Sequence, residues 1–175
     1  ANDFAQSVLD MSTSGQLEQA RETVAFYREE EARISGQIDD IEAKLAEFKS
    51  KNHSALPGVA DAARDELVAV ESEIRSLEQA LVALMEEQRQ LTEKGELRAT
   101  EQRRLQELDA RLGVLVEQKS ALADRRTELS TAIARVPEVE QALAGFQREI
   151  DQLQNSLDTV LEDLAKAETS ARLAE

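Results

Sequence analysis

Apolar residues recur along this chain in alternating steps of three and four. That spacing lines them up on one stripe of an α-helix and sets the stripe against a neighbouring helix in a left-handed coiled coil. The first series runs Leu17, Ala20, Val24, Tyr27, Ile34, Ile38, Ile41, Leu45 and Phe48, interrupted at Glu31. The second is Leu67, Val70, Ile74, Leu77, Leu81, Leu84 and Leu91, with Gln88 at a seam position. The third is Leu105, Leu108, Leu112, Leu115, Leu122, Leu129 and Ile133, and Lys119 and Arg126 fall on its seam. The fourth is unbroken, from Val139 through Leu143, Phe146, Ile150, Leu153, Leu157, Val160, Leu164 and Ala167 to Ala171. Together they predict an all-α fold of long coiled-coil helices.

Three breaks separate the series. Lys51-Asn52-His53-Ser54-Ala55-Leu56-Pro57-Gly58 holds the Asn, Ser, Pro and Gly that end one helix and start the next. Gly95 after Lys94 can close a helix in the left-handed cap conformation, or be carried inside one at a cost of about 1 kcal/mol. Pro137 disfavours helical geometry at Val136 and fits the first turn of a new helix, with Glu138 near its positive end, so this point is either a turn or a kink. Further upstream, Phe4, Val8, Leu9 and Met11 predict a short helix, and Ser12-Thr13-Ser14-Gly15 reads as a break with an N-cap.

The expected organisation is one helical segment over residues 1–175, with a short helix at 3–11 and long helices at about 16–50, 59–93, 97–135 and 137–174. Each long helix would extend about 50 Å at about 1.5 Å per residue. Four rods of similar length pair all their seams when folded antiparallel in up-down-up-down order. The charges on the third seam predict that it is the least buried, or that it meets something outside the segment. The chain opens on Ala1-Asn2-Asp3 and stops at Glu175 within a helical pattern, so it is expected to be a piece of a larger protein.

Composition narrows the function. Only 3% of residues are aromatic while 33% are charged, the balance of long helices rather than of an enzyme core. The formal net charge of −15 would repel nucleic acid and anionic lipid. Lys and Arg are interleaved with Asp and Glu throughout, as on a solvated helix surface. The absence of Cys excludes disulfides and thiolate metal sites. No apolar run approaches the roughly 20 residues a membrane-spanning helix needs.

Candidate chemistry is sparse, and no catalytic, cofactor-binding or metal-ligating residue is assigned. The single His53 sits in a turn without partners for metal or nucleophile chemistry. The acidic run Glu29-Glu30-Glu31 is expected by chance among 36 acidic residues. The glycines never reach the spacing of a phosphate-binding loop. Arg103-Arg104 and Arg125-Arg126 are flanked by acids and predict surface ion pairs ahead of anion binding. What remains is surface for association: Tyr27 on the first seam, and Asn52, Leu56 and Pro57 as a helix turn or an apolar tip contact. The chain is therefore read as non-enzymatic.

The stretch from Ile38 to Pro57, with Ile-Glu-Ala-Lys-Leu-Ala-Glu-Phe-Lys-Ser-Lys-Asn followed by Ala-Leu-Pro, resembles the periplasmic helical region of Wzz/GumC-type polysaccharide chain-length determinants, or polysaccharide co-polymerases. In that family a Leu-x-x-Phe-(Lys/Arg)-x-x-Asn helix end precedes a Leu-Pro turn. Val136-Pro137-Glu138-Val139-Glu140, Gln147-Arg148-Glu149 and Ala171-Arg172-Leu173-Ala174 resemble its Pro-Glu, Arg-Glu and final Ala-Arg-Leu-Ala elements. The resemblance covers most of the chain from Phe4 to Glu175. Its His-Pro-Asp-Val element is absent, and Ile150 stands where an aromatic usually follows Arg-Glu. The resemblance implies the periplasmic part of an inner-membrane protein that self-associates and works with a polysaccharide polymerase or export machinery. Its membrane contact would come only through segments outside this chain. A runner-up is the helical hairpin of a periplasmic adaptor in an efflux or secretion system; a generic structural coiled coil is a third reading.

Overall fold

The computed structural model describes residues 2–175, and among them the secondary structure is helical, without strands. The elements are α1 (Asn2–Lys51), a short 3-10 turn (His53–Ala55), α2 (Pro57–Glu93), α3 (Ala99–Ala134) and α4 (Val136–Ala174). The all-α expectation holds. The chain divides into two compact units, one of α1 with Gln141–Glu175 and the other of Asn52–Glu140.

In the first unit α1 lies antiparallel to the 141–174 part of α4. Val24 packs with Leu164 and Ala167, and half-buried Tyr27 and Ala171 close over them. Further along, the rings of Phe48 and Phe146 stand 5.5 Å apart at a tilt of 53°. Ile34 and Ile38 are buried on the same α1 stripe, and Ile150 on α4. These are positions of the first and fourth seams, which bury apolar surface because the helical period returns them to one face.

The second unit is an antiparallel pair of α2 and α3. Ala63, Val70, Ile74 and Leu129 form its core, with Leu67, Leu122 and Ile133 packed against them. Leu108 is fully buried and Leu81 and Leu115 nearly so. The chain reverses between α2 and α3 at Lys94–Arg98. Gly95 there has φ of +81°, a conformation an L side chain rarely adopts, so it ends α2 instead of being carried through the helix. The start of α3 is held by the Arg98 amide, which donates to the Glu101 carboxylate at 3.3 Å.

The expected separate helix at 3–11 does not form, because α1 runs unbroken through Ser12-Thr13-Ser14-Gly15. Nothing in that stretch removes a backbone donor. The Thr13 hydroxyl donates to the Leu9 carbonyl at 2.9 Å, as the Ser7 hydroxyl does to Asp3, so these side chains bond within the helix instead of capping a new one. At Pro137 the chain is interrupted by a single residue. Arg135 keeps right-handed helical angles (φ −85°, ψ −10°), and the Val139 amide already donates to its carbonyl at 3.0 Å. Proline in the first turn of α4 lacks only the amide hydrogen that the helix start leaves unpaired.

Candidate functional site

Clefts are the first place to look for chemistry, and here they are shallow. A surface depression of about 730 Å³ is lined by Val82, Met85, Glu86, Gln88, Arg89, Thr92 and Glu93, all on α2, so it is relief on one helix. A groove of about 430 Å³ in the first unit is lined by Gln37, Asp40, Ile41 and Lys44 of α1 and by Glu149, Gln152, Leu153 and Ser156 of α4. No polar side chain in either is buried, so neither strengthens a charge by removing it from water. Among the described residues no group of three or more His, Cys, Asp or Glu is placed to hold a metal ion, and no helix is long and apolar enough to cross a membrane.

The sequence-selected residues Asn52, Leu56 and Pro57 lie together in the break between α1 and α2. Asn52 precedes the 3-10 turn, where the Ala55 amide donates to its carbonyl at 3.0 Å. Leu56 switches to extended geometry (φ −67°, ψ 141°) as Pro57 opens α2, and its carbonyl accepts from the Ala60 amide at 2.8 Å. His53 and Pro57 are exposed, whereas Leu56 is half-buried. The Asn52 side-chain carbonyl accepts a hydrogen bond from the Arg135 guanidinium, at the interruption between α3 and α4. The two breaks therefore lie side by side. Nothing in the residue pattern around Arg135 marks it as the partner of Asn52, because the bond spans 83 positions of sequence.

One member of each arginine pair is engaged across the two helices. Arg125 grips Glu66 with two parallel bonds, Nε and Nη2 each at 2.8 Å, and Arg104 grips Glu87 the same way at 2.7 and 2.9 Å. Both forks cross from α3 to α2. Hydrogen bonds from these guanidinium groups hold the Glu66 and Glu87 carboxyls below their usual pKa and raise those of Arg104 and Arg125. Lys119, on the third seam, is met by Glu78 of α2 at 3.4 Å, and the Gln88 amide bonds Asp109. These seam side chains are thus matched inside the unit. At the reversal Lys94 reaches Glu101 at 2.6 Å; that bond, ahead of the one from the Arg98 amide, lowers the Glu101 pKa.

The apolar surface least covered in the first unit is the start of α1. Every described residue before Leu17 is exposed, with Phe4 at 78% and Met11 at 75%. Phe4, Val8 and Met11 follow the i, i+4, i+7 spacing of one helix face. Stepping the first seam back from Leu17 by heptads and their alternates instead gives Thr13, Asp10, Gln6 and Asp3, all polar. The face that seats α4 is therefore no longer apolar there, and the apolar stripe lies on a neighbouring face. This surface is legible as amphipathic sequence, but its exposure is not.

The chain matches no protein-family model, no curated protein and no solved structure.

Proposed function

We propose that this chain is a non-catalytic helical scaffold of the chain-length-determinant type, which controls the length or export of a surface polysaccharide by packing helices of several copies side by side. The observation that carries the reading is the agreement between the resembling residues and their structural places. The Leu45-to-Asn52 stretch closes a long helix, Leu56-Pro57 opens the next, and Pro137-Glu138 lies in the first turn of α4. Shallow grooves and two-layer helix pairs suit a part that shapes or spaces other components. The exposed Phe4, Val8 and Met11 stripe supplies a face for self-association. On this reading the protein works at the periplasmic side of an inner membrane, beside a polysaccharide polymerase or exporter.

The same reading takes the antiparallel pairs as coiled coils and keeps the up-down-up-down order of four long helices as its arrangement. Small-angle scattering tests that arrangement: a particle roughly 75 Å long, the span of the 50-residue α1, fits it, while one about twice as long replaces it with an extended hairpin. Function is tested in the intact membrane protein with Phe4→Ser, Val8→Ser and Met11→Ser combined. The surface polysaccharide is resolved by length on a gel, and particle mass is measured after detergent extraction. A changed length distribution with a smaller assembly is expected. An unaltered polysaccharide on complete deletion of the protein would sink the proposal. Loss of export of a protein or small molecule in that deletion would favour the adaptor reading, for which the reversal at Lys94–Arg98 supplies a hairpin end.

A further inference from the structure

The seam between α2 and α3 is degenerate. Its core positions are Leu, Val, Ile and Ala, and shifting one helix by a heptad returns one small aliphatic residue opposite another. Its ion pairs are degenerate in part. Glu66 and Glu87 stand three heptads apart on α2, as Arg104 and Arg125 do on α3. If α2 is displaced by one heptad against α3, Arg125 comes opposite Glu73 and Glu87 opposite Arg111. One member of each fork then finds a new partner of opposite sign, while Glu66 comes opposite Ala132 and Arg104 opposite Lys94. At the reversal a shift would take Gly95 into a helix at modest cost, but it would also unwind the start of α3 with its Arg98–Glu101 cap and Lys94–Glu101 contact. The leucine seam selects no single pairing, and the forks select one only in part.

The joint beside Asn52 does not share this degeneracy. Among the described residues four are 2% exposed or less, and three of them (Ala55, Ala60 and Val139) flank the two breaks, with Val136 at 4% beside them. The 3-10 turn packs on both α2 and α3. Asn52 and Arg135 join the breaks by a charge-assisted hydrogen bond. Neither break is repeated along its arm of the unit. Slipping by seven residues would bring the 3-10 turn against regular helix and set Arg135 near Val59, where no side-chain acceptor stands at that position.

We propose that this joint, and not the leucine seam or its ion pairs, is the register lock of the Asn52–Glu140 unit. Asn52 and Arg135 act as positioning residues that exclude a one-heptad-shifted pairing of α2 with α3. The inference rests on packing within this unit and stands whether or not the polysaccharide reading does.

Because the chain has no cysteine, paired cysteines report register directly. One pair, Ile74→Cys with Leu122→Cys, is placed for the observed pairing. A second, Leu81→Cys with Leu122→Cys, is placed for the shifted one. Each is introduced into the full chain, and cross-linking is followed under mild oxidation in the otherwise unaltered protein, in Asn52→Ala with Arg135→Ala, and in Glu66→Gln with Glu87→Gln. The unaltered protein and the glutamate variant are expected to cross-link through the first pair. The joint variant is expected to raise the ratio of second-pair to first-pair product roughly tenfold or more, the scale of losing a hydrogen bond to a charged group. The idea is overturned if the joint variant melts earlier yet keeps the cross-linking ratio of the unaltered protein, since the joint then only adds stability. It is equally overturned if the glutamate variant, and not the joint variant, shifts the ratio.

Discussion

Leu108 offers the sharpest test of how the α2–α3 unit is held together. It is 0% exposed and sits at a seam position of α3. Replacing it by Ala removes Cγ and both Cδ atoms. At about 0.8 kcal/mol per buried carbon, the lost transfer free energy is about 2.4 kcal/mol. A cavity adds to this, but a seam only two helices thick has solvent on both sides and can close in part. The total therefore lies near the low end of the usual range, at about 2.5 to 3 kcal/mol. For a chain of this size that corresponds to a Tm lowered by roughly 5 to 12 °C. Urea unfolding followed by helical circular dichroism measures it, as a lower midpoint at unchanged slope. Val114→Ala, further along α3 but 53% exposed, is the control, expected within about 0.5 kcal/mol. A loss below about 1 kcal/mol for Leu108→Ala would show that the two helices are not packed at that position, and would refute the assignment of the core to this seam.

Two further outcomes follow from local geometry. Gly95→Ala meets no atom within 4 Å, so its cost comes only from the left-handed φ of +81° and is expected at about 1 kcal/mol by the same urea assay; a neutral result would mean that the reversal does not use that conformation. Glu66 and Glu87 have folded-state pKa values lowered from 4.5 by hydrogen bonds from Arg125 and Arg104, so their contribution is present above the unfolded value and is lost as pH falls through the folded one. Acidification also relieves the repulsion of a −15 chain, so the diagnostic quantity is the stability difference between the protein and its Glu66→Gln, Glu87→Gln variant. That difference is expected to shrink below about pH 4.5, and its constancy from about pH 3 to 7 would contradict the fork geometry.

The break containing Leu56-Pro57, which the sequence reads as either a helix turn or a tip for a partner, is flanked by some of the most enclosed described residues. The α2–α3 unit also reverses at Lys94–Arg98, where the loop is mostly exposed. In each arginine pair weighed as an anion site, one member is committed inside the unit: Arg104 to Glu87 and Arg125 to Glu66. Paired charges of this kind neutralise one another and leave little field for a polyanion. The uncovered apolar surface lies at the start of α1, in the stretch whose sequence suggests a separate short helix.

Helix content, and most of the positions at which helices stop, were already written in the residue order. Three-and-four spacing demands a helical period, Pro137 removes a backbone donor, and the Asn52-to-Gly58 cluster combines every common helix-ending residue type. Even there the reach of sequence was local: Ser12-to-Gly15 has the composition of a break, yet the Thr13 hydroxyl is satisfied inside the helix, and nothing in composition distinguishes the two uses. Folding in three dimensions was needed to settle which seam meets which, that Asn52 meets Arg135, and that Phe4, Val8 and Met11 face water. The physical reason is that a heptad seam of small aliphatic residues accepts almost any other such seam in several registers. Partner and register are then chosen by the irregular places, whose contacts join residues far apart in the chain and leave no periodic trace in its sequence.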